Sequence, residues 1–210
     1  MLITISRQYG AGGSRVAELV ATRLGWTVVD NDLIDRVAAR AGLSREEVAD
    51  REERAPGFVE RIVLALGSSS TEILTAETAA VLKPMEEPHL VAVTERVVRE
   101  IGARGKVVLV GRAAVAVLAR VPEALHVQLV APKPVRVREA MVRLQVDEKE
   151  AERVLSETDA SRARFHREYY KRDWTDPAGY HLVLNTGALG YDGAAEVILG
   201  RARVLGWVEK

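Results

Sequence analysis

The stretch Leu2–Leu24, LITISRQYGAGGSRVAELVATRL, decides how the chain reads. Leu2 to Ile5 is a short apolar, β-branched run of the kind that forms a buried strand. From Ser14 onward, Val16, Leu19, Val20 and Leu24 recur at helical spacing. Between them lies Arg7-Gln-Tyr-Gly-Ala-Gly-Gly-Ser14, a glycine-rich turn feeding a helix. A helix N-terminus offers unpaired N–H groups and a partial positive charge, so such a turn is a natural cradle for phosphate. Against the phosphate-binding pattern G-x-x-x-x-G-K-[ST], Gly12 and Ser14 fit, Arg7 stands at the first glycine and Gly13 stands at the lysine. The missing lysine is the central chemical question.

Downstream, Gly25 is a C-cap and Thr27–Asp30 a second strand, completing a β-α-β start that implies a parallel sheet covered by helices. Asp30 and Asp32 then fall at the carboxyl end of that strand, the edge where open α/β sheets bind ligands, and a helix follows over Leu33–Ala41. From 42 to 103 the pattern is helical, with a capping box at Ser44-Arg-Glu-Glu47, breaks at Pro56-Gly57, Gly67–Ser70 and Lys83–Pro88, and a long helix over His89–Ala103. Lys106–Val110 is a third strand running into Gly111-Arg112, and Ala113–Ala119 a helix. Ala124–Val130 is a fourth strand. Pro132–Arg172 is helical and basic, with interruptions expected near Val146-Asp147 and near Asp159. Tyr180–Asn185 is the fifth strand and Asp192–Leu205 the closing helix.

Composition narrows the class. The 210 residues suit one globular domain, and 30 basic against 30 acidic residues argue against a dedicated nucleic-acid or membrane-surface binder. The absence of cysteine excludes a disulfide framework, thiol catalysis and cysteine metal ligands, and fits a reducing compartment. No apolar run approaches the roughly 20 residues of a membrane helix and no leader precedes the first strand, so the expectation is a cytoplasmic protein. His126, His166 and His181 lack zinc-ligand spacing, and Trp26, Trp174 and Trp207 read as packing anchors.

Four features converge on one sheet edge: the 7–14 turn, Asp30 with Asp32 and Arg36, Gly111-Arg112, and the arginine-rich helices up to Arg172. Each alone has an ordinary explanation as a solvated face or an i,i+3 pair. Together they suit more than one phosphate, because phosphoryl transfer needs cations and N–H donors around the charge spread over the transferring group.

These segments resemble the cytidylate kinase-like group within the nucleoside monophosphate kinases of the P-loop superfamily. The resemblance is carried by ITISRQYGAGGSRVAELVATRLGW, by LGWTVVDNDLIDR with Asp30 and Arg36 six residues apart, by VVLVGR ending at Arg112, by Asp159-Ala-Ser-Arg162 and by YHLVLNT. It implies a three-layer α/β/α P-loop kinase fold with a five-stranded parallel sheet, a helical insertion and a helical lid. In that layout 1–41, 104–131 and 173–210 form the core of a single domain. Residues 42–103 form the insertion, a candidate acceptor-binding region, and 132–172 the lid.

The implied activity is ATP-dependent phosphoryl transfer to a nucleoside monophosphate, CMP or dCMP in the first place. ATP with Mg would lie on Arg7, Gly10, Ala11, Gly12, Gly13, Ser14 and Arg15, with Ser14 near the metal. Asp30, Asp32, Arg36, Arg112 and Asp159 would serve the acceptor, and Arg162, Arg164 and Arg167 would act on the transferring group. Arg7 or Arg15 is a source for the charge missing at Gly13. Nucleotides are the expected partners, with no nucleic acid or membrane, and the oligomeric state is open. Two other readings stand beside this one. A regulatory module of the same fold would bind nucleotide without efficient turnover. A dinucleotide-binding fold would use Gly10-Ala-Gly12 and Asp30, although its third glycine falls at Arg15.

Overall fold

In the computed structural model, which describes residues 1–30 and 87–208, LITISR forms β1 (Leu2–Arg7), with Leu2 to Ser6 buried. A strand buried along its whole length belongs in the middle of a sheet covered on both faces. β1 pairs in parallel with β3 (Val107–Val110) on one side and β4 (Ala124–Val130) on the other. β2 (Thr27–Val29) adds beyond β3, and β5 (Leu182–Asn185) beyond β4. The order is β2-β3-β1-β4-β5, all parallel. In a dinucleotide fold β1 and β2 are neighbours; here β3 lies between them, which removes that reading.

The register positions the candidate site. Ile5 pairs with Val110 and Arg7 with Leu129, so the residues after β1, β3 and β4 leave the sheet at the same edge. The Gly111 N–H donates to the Ile5 carbonyl at 3.1 Å and the Gln8 N–H to the Leu129 carbonyl at 3.0 Å, which continues the ladder into the loops.

Helix α1 (Gly13–Leu24) buries Val16, Ala17, Val20 and Ala21 as one stripe. It packs on α6 (Thr186–Val204), whose Ala194, Ala195, Ile198, Leu199 and Ala202 are buried, so small side chains on one helix meet aliphatic ones on the other. Gly25, at φ 65°, closes α1 as expected. Between β3 and β4 lies the short α3 (Ala114–Val117), and after β4 come α4 (Lys133–Leu144) and α5 (Glu148–Tyr170). These two pack against each other through Val137, Ala140, Ala151 and Leu155, with Tyr9 of the turn against the same cluster.

The chain divides into two compact units, Met1–Asp30 with Gly105–Lys210, and Asn31–Arg104. In the second, the described residues form α2 (Glu87–Arg104), carrying the i,i+4 pairs Arg96–Glu100 and Glu95–Arg99, both at 2.8 Å. Asp32, Arg36 and the 42–86 part of the expected insertion lie outside the described residues.

Three boundaries differ from the sequence reading. Helix α5 runs unbroken through Asp159, because that carboxylate is engaged by distant donors and does not compete for its own backbone. Helix α6 begins at Thr186, where Asn185 Oδ1 accepts from the Gly187 and Ala188 N–H groups, and Gly190 interrupts it at φ 68°, ψ 174°. β5 begins at Leu182, not Tyr180.

Candidate functional site

The β1–α1 turn owes its shape to close contacts as well as to glycine's conformational freedom. Gly10 and Gly12 hold φ of 77° and 76°, the left-handed region in which a side chain is strained. A β-carbon at Gly10 would stand 2.6 Å from the Arg136 carbonyl oxygen, and one at Gly12 would run into the Tyr191 ring. Gly12 is the N-cap of α1 with no side-chain hydrogen bond, and no acidic residue occupies the first turn. The N–H groups of Gly13, Ser14 and Arg15 have no acceptor among the described residues, so the helix end presents open donors. Buried Thr186 supports the turn from below, its hydroxyl donating to the Ala11 carbonyl at 3.1 Å.

Asp159 organises the other wall. Its Oδ1 accepts the Tyr9 N–H at 2.8 Å and Arg162 Nη1 at 3.3 Å, and its Oδ2 accepts Arg136 Nη1 at 2.6 Å. Arg136 also donates to the carbonyls of Ala131 (3.0 Å) and Tyr9 (3.3 Å), and Arg162 to the Arg7 carbonyl at 2.8 Å. One carboxylate and two guanidinium groups thereby stitch α4 and α5 to the turn backbone. Arg143 lies over the Tyr9 ring, 5.8 Å from its centroid, a cation–π placement that keeps its charge at the same mouth.

Positive charge predominates around Arg7. Burial, then the like charges of Arg162, Arg112 and Arg143, push the Arg7 guanidinium down to about 9, with Asp30 pulling the other way. Burial likewise lowers Arg162, against the raising influence of Asp159. Arg112 follows β3 in a sharp turn where Gly111, Arg112 and Ala113 all have positive φ (83°, 48° and 49°). Two successive non-glycine residues in that region cost about 1–2 kcal/mol each, so the surrounding packing must hold the turn. Buried cations that repel one another at a glycine-rich turn suit a polyanion, which would relieve both penalties.

The structure brings most of the sequence-assigned residues together. Arg7, Gly10, Ala11, Gly12, Gly13, Arg112, Asp159 and Arg162 meet around the turn, with Asp30 at the carboxyl end of β2 and near enough to raise Arg7. Ser14 is exposed at the first turn of α1. Arg15 is also exposed and pairs with Glu18 at 3.6 Å, along its own helix. Arg164 and Arg167 are exposed on α5.

Four contributors carried no sequence signal of their role. Tyr191 covers Gly12 and donates its hydroxyl to Glu139 at 2.6 Å; burial first and then that carboxylate raise it to about 12. Tyr9, Arg136 and Arg143 were the others; the two arginines were legible only as members of a basic helix. Trp174 is buried with its Nε1 on Ser6 Oγ at 2.8 Å, and Gln128 and Tyr180 both donate to its carbonyl, so it anchors the return from α5 to the sheet. His126 is buried between Thr4 Oγ1 (2.8 Å) and the stacked ring of His181, in keeping with a structural role.

A five-stranded, all-parallel sheet in this order, with a glycine-rich turn after β1 and arginines converging on it, defines a P-loop kinase fold. The sequence matches the cytidylate kinase-like family over residues 2–188, and the chain belongs to that family. Among solved structures it is similar to an uncharacterized protein from Eubacterium ventriosum, at 20% identity and a TM-score of 0.69, covering 96% of this chain and 97% of that one. It is also similar to a shikimate kinase from Bacteroides thetaiotaomicron, at 13% identity and a TM-score of 0.51, covering 99% of each chain. At these identities the likeness establishes the fold. No curated protein matches the sequence significantly. Family and fold together support a nucleotide kinase-like phosphotransferase function. No described helix is long and apolar enough to cross a membrane.

Proposed function

We propose that the protein transfers the γ-phosphoryl group of ATP to the phosphate of a nucleoside monophosphate, with CMP or dCMP as the first acceptors to try. The observation that carries this reading is the gathering of Arg7, Arg112, Arg143 and Arg162 at the open N–H donors of the β1–α1 turn. In this reading the N–H groups of Gly10, Gly12, Gly13 and Ser14 hold the β- and γ-phosphates, the Ala11 N–H being engaged by the Gln8 carbonyl at 3.2 Å. Arg112, with Asp30, orients the acceptor. Arg162 neutralises charge on the transferring group, exposed Arg164 and Arg167 close over it, and Asp159 serves by fixing the lid.

An acceptor phosphate oxygen forms the new bond to the γ-phosphorus, the bond from that phosphorus to the bridging oxygen breaks, and ADP leaves with the electron pair. The attacking oxygen is already anionic, so positioning and charge neutralisation supply the rate. Arginine suits the task because its planar fork binds phosphate in bidentate fashion and stays charged. Ser14, exposed at the open helix end, would hold magnesium together with the phosphates. When bound, it would offset charge on the bridging phosphates. A cytoplasmic enzyme of small nucleotides is the setting this reading implies.

A coupled assay of purified protein with ATP, Mg and each common nucleoside monophosphate tests it. Diphosphate formation from at least one acceptor is expected. ATP binding with no product above the acceptor-free background would instead make the chain a nucleotide-binding regulatory module, the reading favoured by the glycine at position 13.

A further inference from the structure

The lysine position of the phosphate-binding pattern is filled in space although it is empty in sequence. A β-carbon built on Gly13 would stand 2.7 Å from Arg7 Cγ, 3.1 Å from Cδ and 3.2 Å from Cβ. The aliphatic stem of Arg7 therefore runs across the volume from which a side chain at position 13 would start. Gly13 itself is buried, so a longer residue there has no alternative course that leaves Arg7 undisturbed. Arg7 ends β1 in register with Leu129, its carbonyl is held by Arg162 and its side chain is half-buried. Asp30 favours the charge of Arg7, against burial and the like charges of Arg162, Arg112 and Arg143. The other candidate, Arg15, points out along α1 to Glu18.

We infer that Arg7 supplies to the triphosphate the positive charge that a lysine at position 13 would supply, and that glycine at 13 is the space requirement of this arrangement. The two positions thus form one exchangeable unit: a long cation can reach the phosphates from the last residue of β1 or from the first turn of α1, but both stems cannot share the gap. This rests on the phosphate-binding reading of the turn, not on the identity of the acceptor. The physical consequence is a coupled pair, in which each single change is harmful and the exchange is tolerated.

The test is a double-mutant cycle read by calorimetric binding of ATP and of inorganic tripolyphosphate at fixed salt. Arg7→Met keeps an apolar stem over Gly13 and removes the charge, Arg7→Ala removes both, and each should weaken both ligands by about 10- to 100-fold, the range of a lost charge-assisted contact. Gly13→Lys should weaken them comparably by collision with Arg7. The combined Arg7→Ala, Gly13→Lys chain should bind within about threefold of the wild type, and circular dichroism and melting of every variant separate loss of binding from loss of fold. Wild-type affinity in Arg7→Met, or a double variant no tighter than the weaker single, overturns the inference, as does a double variant that fails to fold while both singles fold. If the wild type binds neither ligand, the phosphate-binding reading falls with it. If it binds both and phosphorylates no acceptor, the kinase reading falls and this inference stands.

Discussion

Asp159 Oδ1 accepts the Tyr9 N–H at 2.8 Å across 150 positions of sequence, while its other oxygen holds Arg136 at 2.6 Å. The glycine-rich turn and the helical hairpin are thus one electrostatic unit, with Asp159 the carboxylate that both Arg136 and Arg162 share. Asp159→Ala would leave Arg136 and Arg162 facing each other, both largely shielded from solvent. The expected loss is about 3–5 kcal/mol, on the order of 10 °C in melting temperature for a chain of this size. Asp159→Asn keeps an acceptor for the Tyr9 N–H and should lose clearly less. Calorimetric melting of both variants decides it, and equal melting of the alanine variant and the wild type would remove Asp159 from this role.

Arg112 sits after β3 in a turn of positive φ, on the side of the sheet edge that leads to β2. Under the proposed function, Arg112→Ala raises the acceptor KM or lowers kcat by roughly 10-fold or more while ATP affinity stays within about twofold. Equal loss of ATP affinity, or none of either, would assign Arg112 to something else.

Acid stability should be governed by two buried histidines. Burial, then His181 and Arg172, hold His126 at about 4, and burial with Arg172 holds His166 at about 4. Both lie below the ordinary value of about 6.5, so the unfolded chain binds more protons than the folded one between those limits. Stability is complete above about pH 6.5 and falls as pH drops toward 4, by up to about 3 kcal/mol for each histidine. His126→Gln, which cannot take up the proton, should roughly halve the slope of stability against pH in that window. Urea melts from pH 4 to 7 provide the measurement, and an unchanged slope would show that His126 does not control it.

Gly12 and Tyr191 should behave as a coupled pair. Gly12→Ala meets both the left-handed backbone at φ 76° and the tyrosine ring, so it should cost more than the roughly 1 kcal/mol of the backbone alone. Adding Tyr191→Ala removes the collision and should recover part of the loss, whereas Tyr191→Phe, which loses only the hydrogen bond to Glu139, should cost about 1 kcal/mol or less. Strict additivity of Gly12→Ala and Tyr191→Ala in denaturant melts would contradict the contact.

Much of the scaffold was legible because its signals are local. The apolar run Leu2–Ile5, the stripe Val16, Val20 of α1 and the turn chemistry between them identify a strand, a loop and a helix within 23 residues. The same kind of signal located β3 and β4 and the basic hairpin. It misled at Asp159, where a residue that often ends a helix sits inside one because its partners include Tyr9 of the β1–α1 turn and Arg136 of α4.

The sequence by itself determined a parallel α/β chain with a phosphate-binding turn at its start, since periodicity and turn residues report on the nearest few positions. It also showed that the usual lysine is absent. The strand order, which places β3 between β1 and β2, and the return of α5 to the turn were decided only by tertiary packing. So was the path of Arg7 across Gly13. Contacts between positions 9 and 159, or 12 and 191, depend on register and on the volume left between packed elements, and no local pattern encodes that volume.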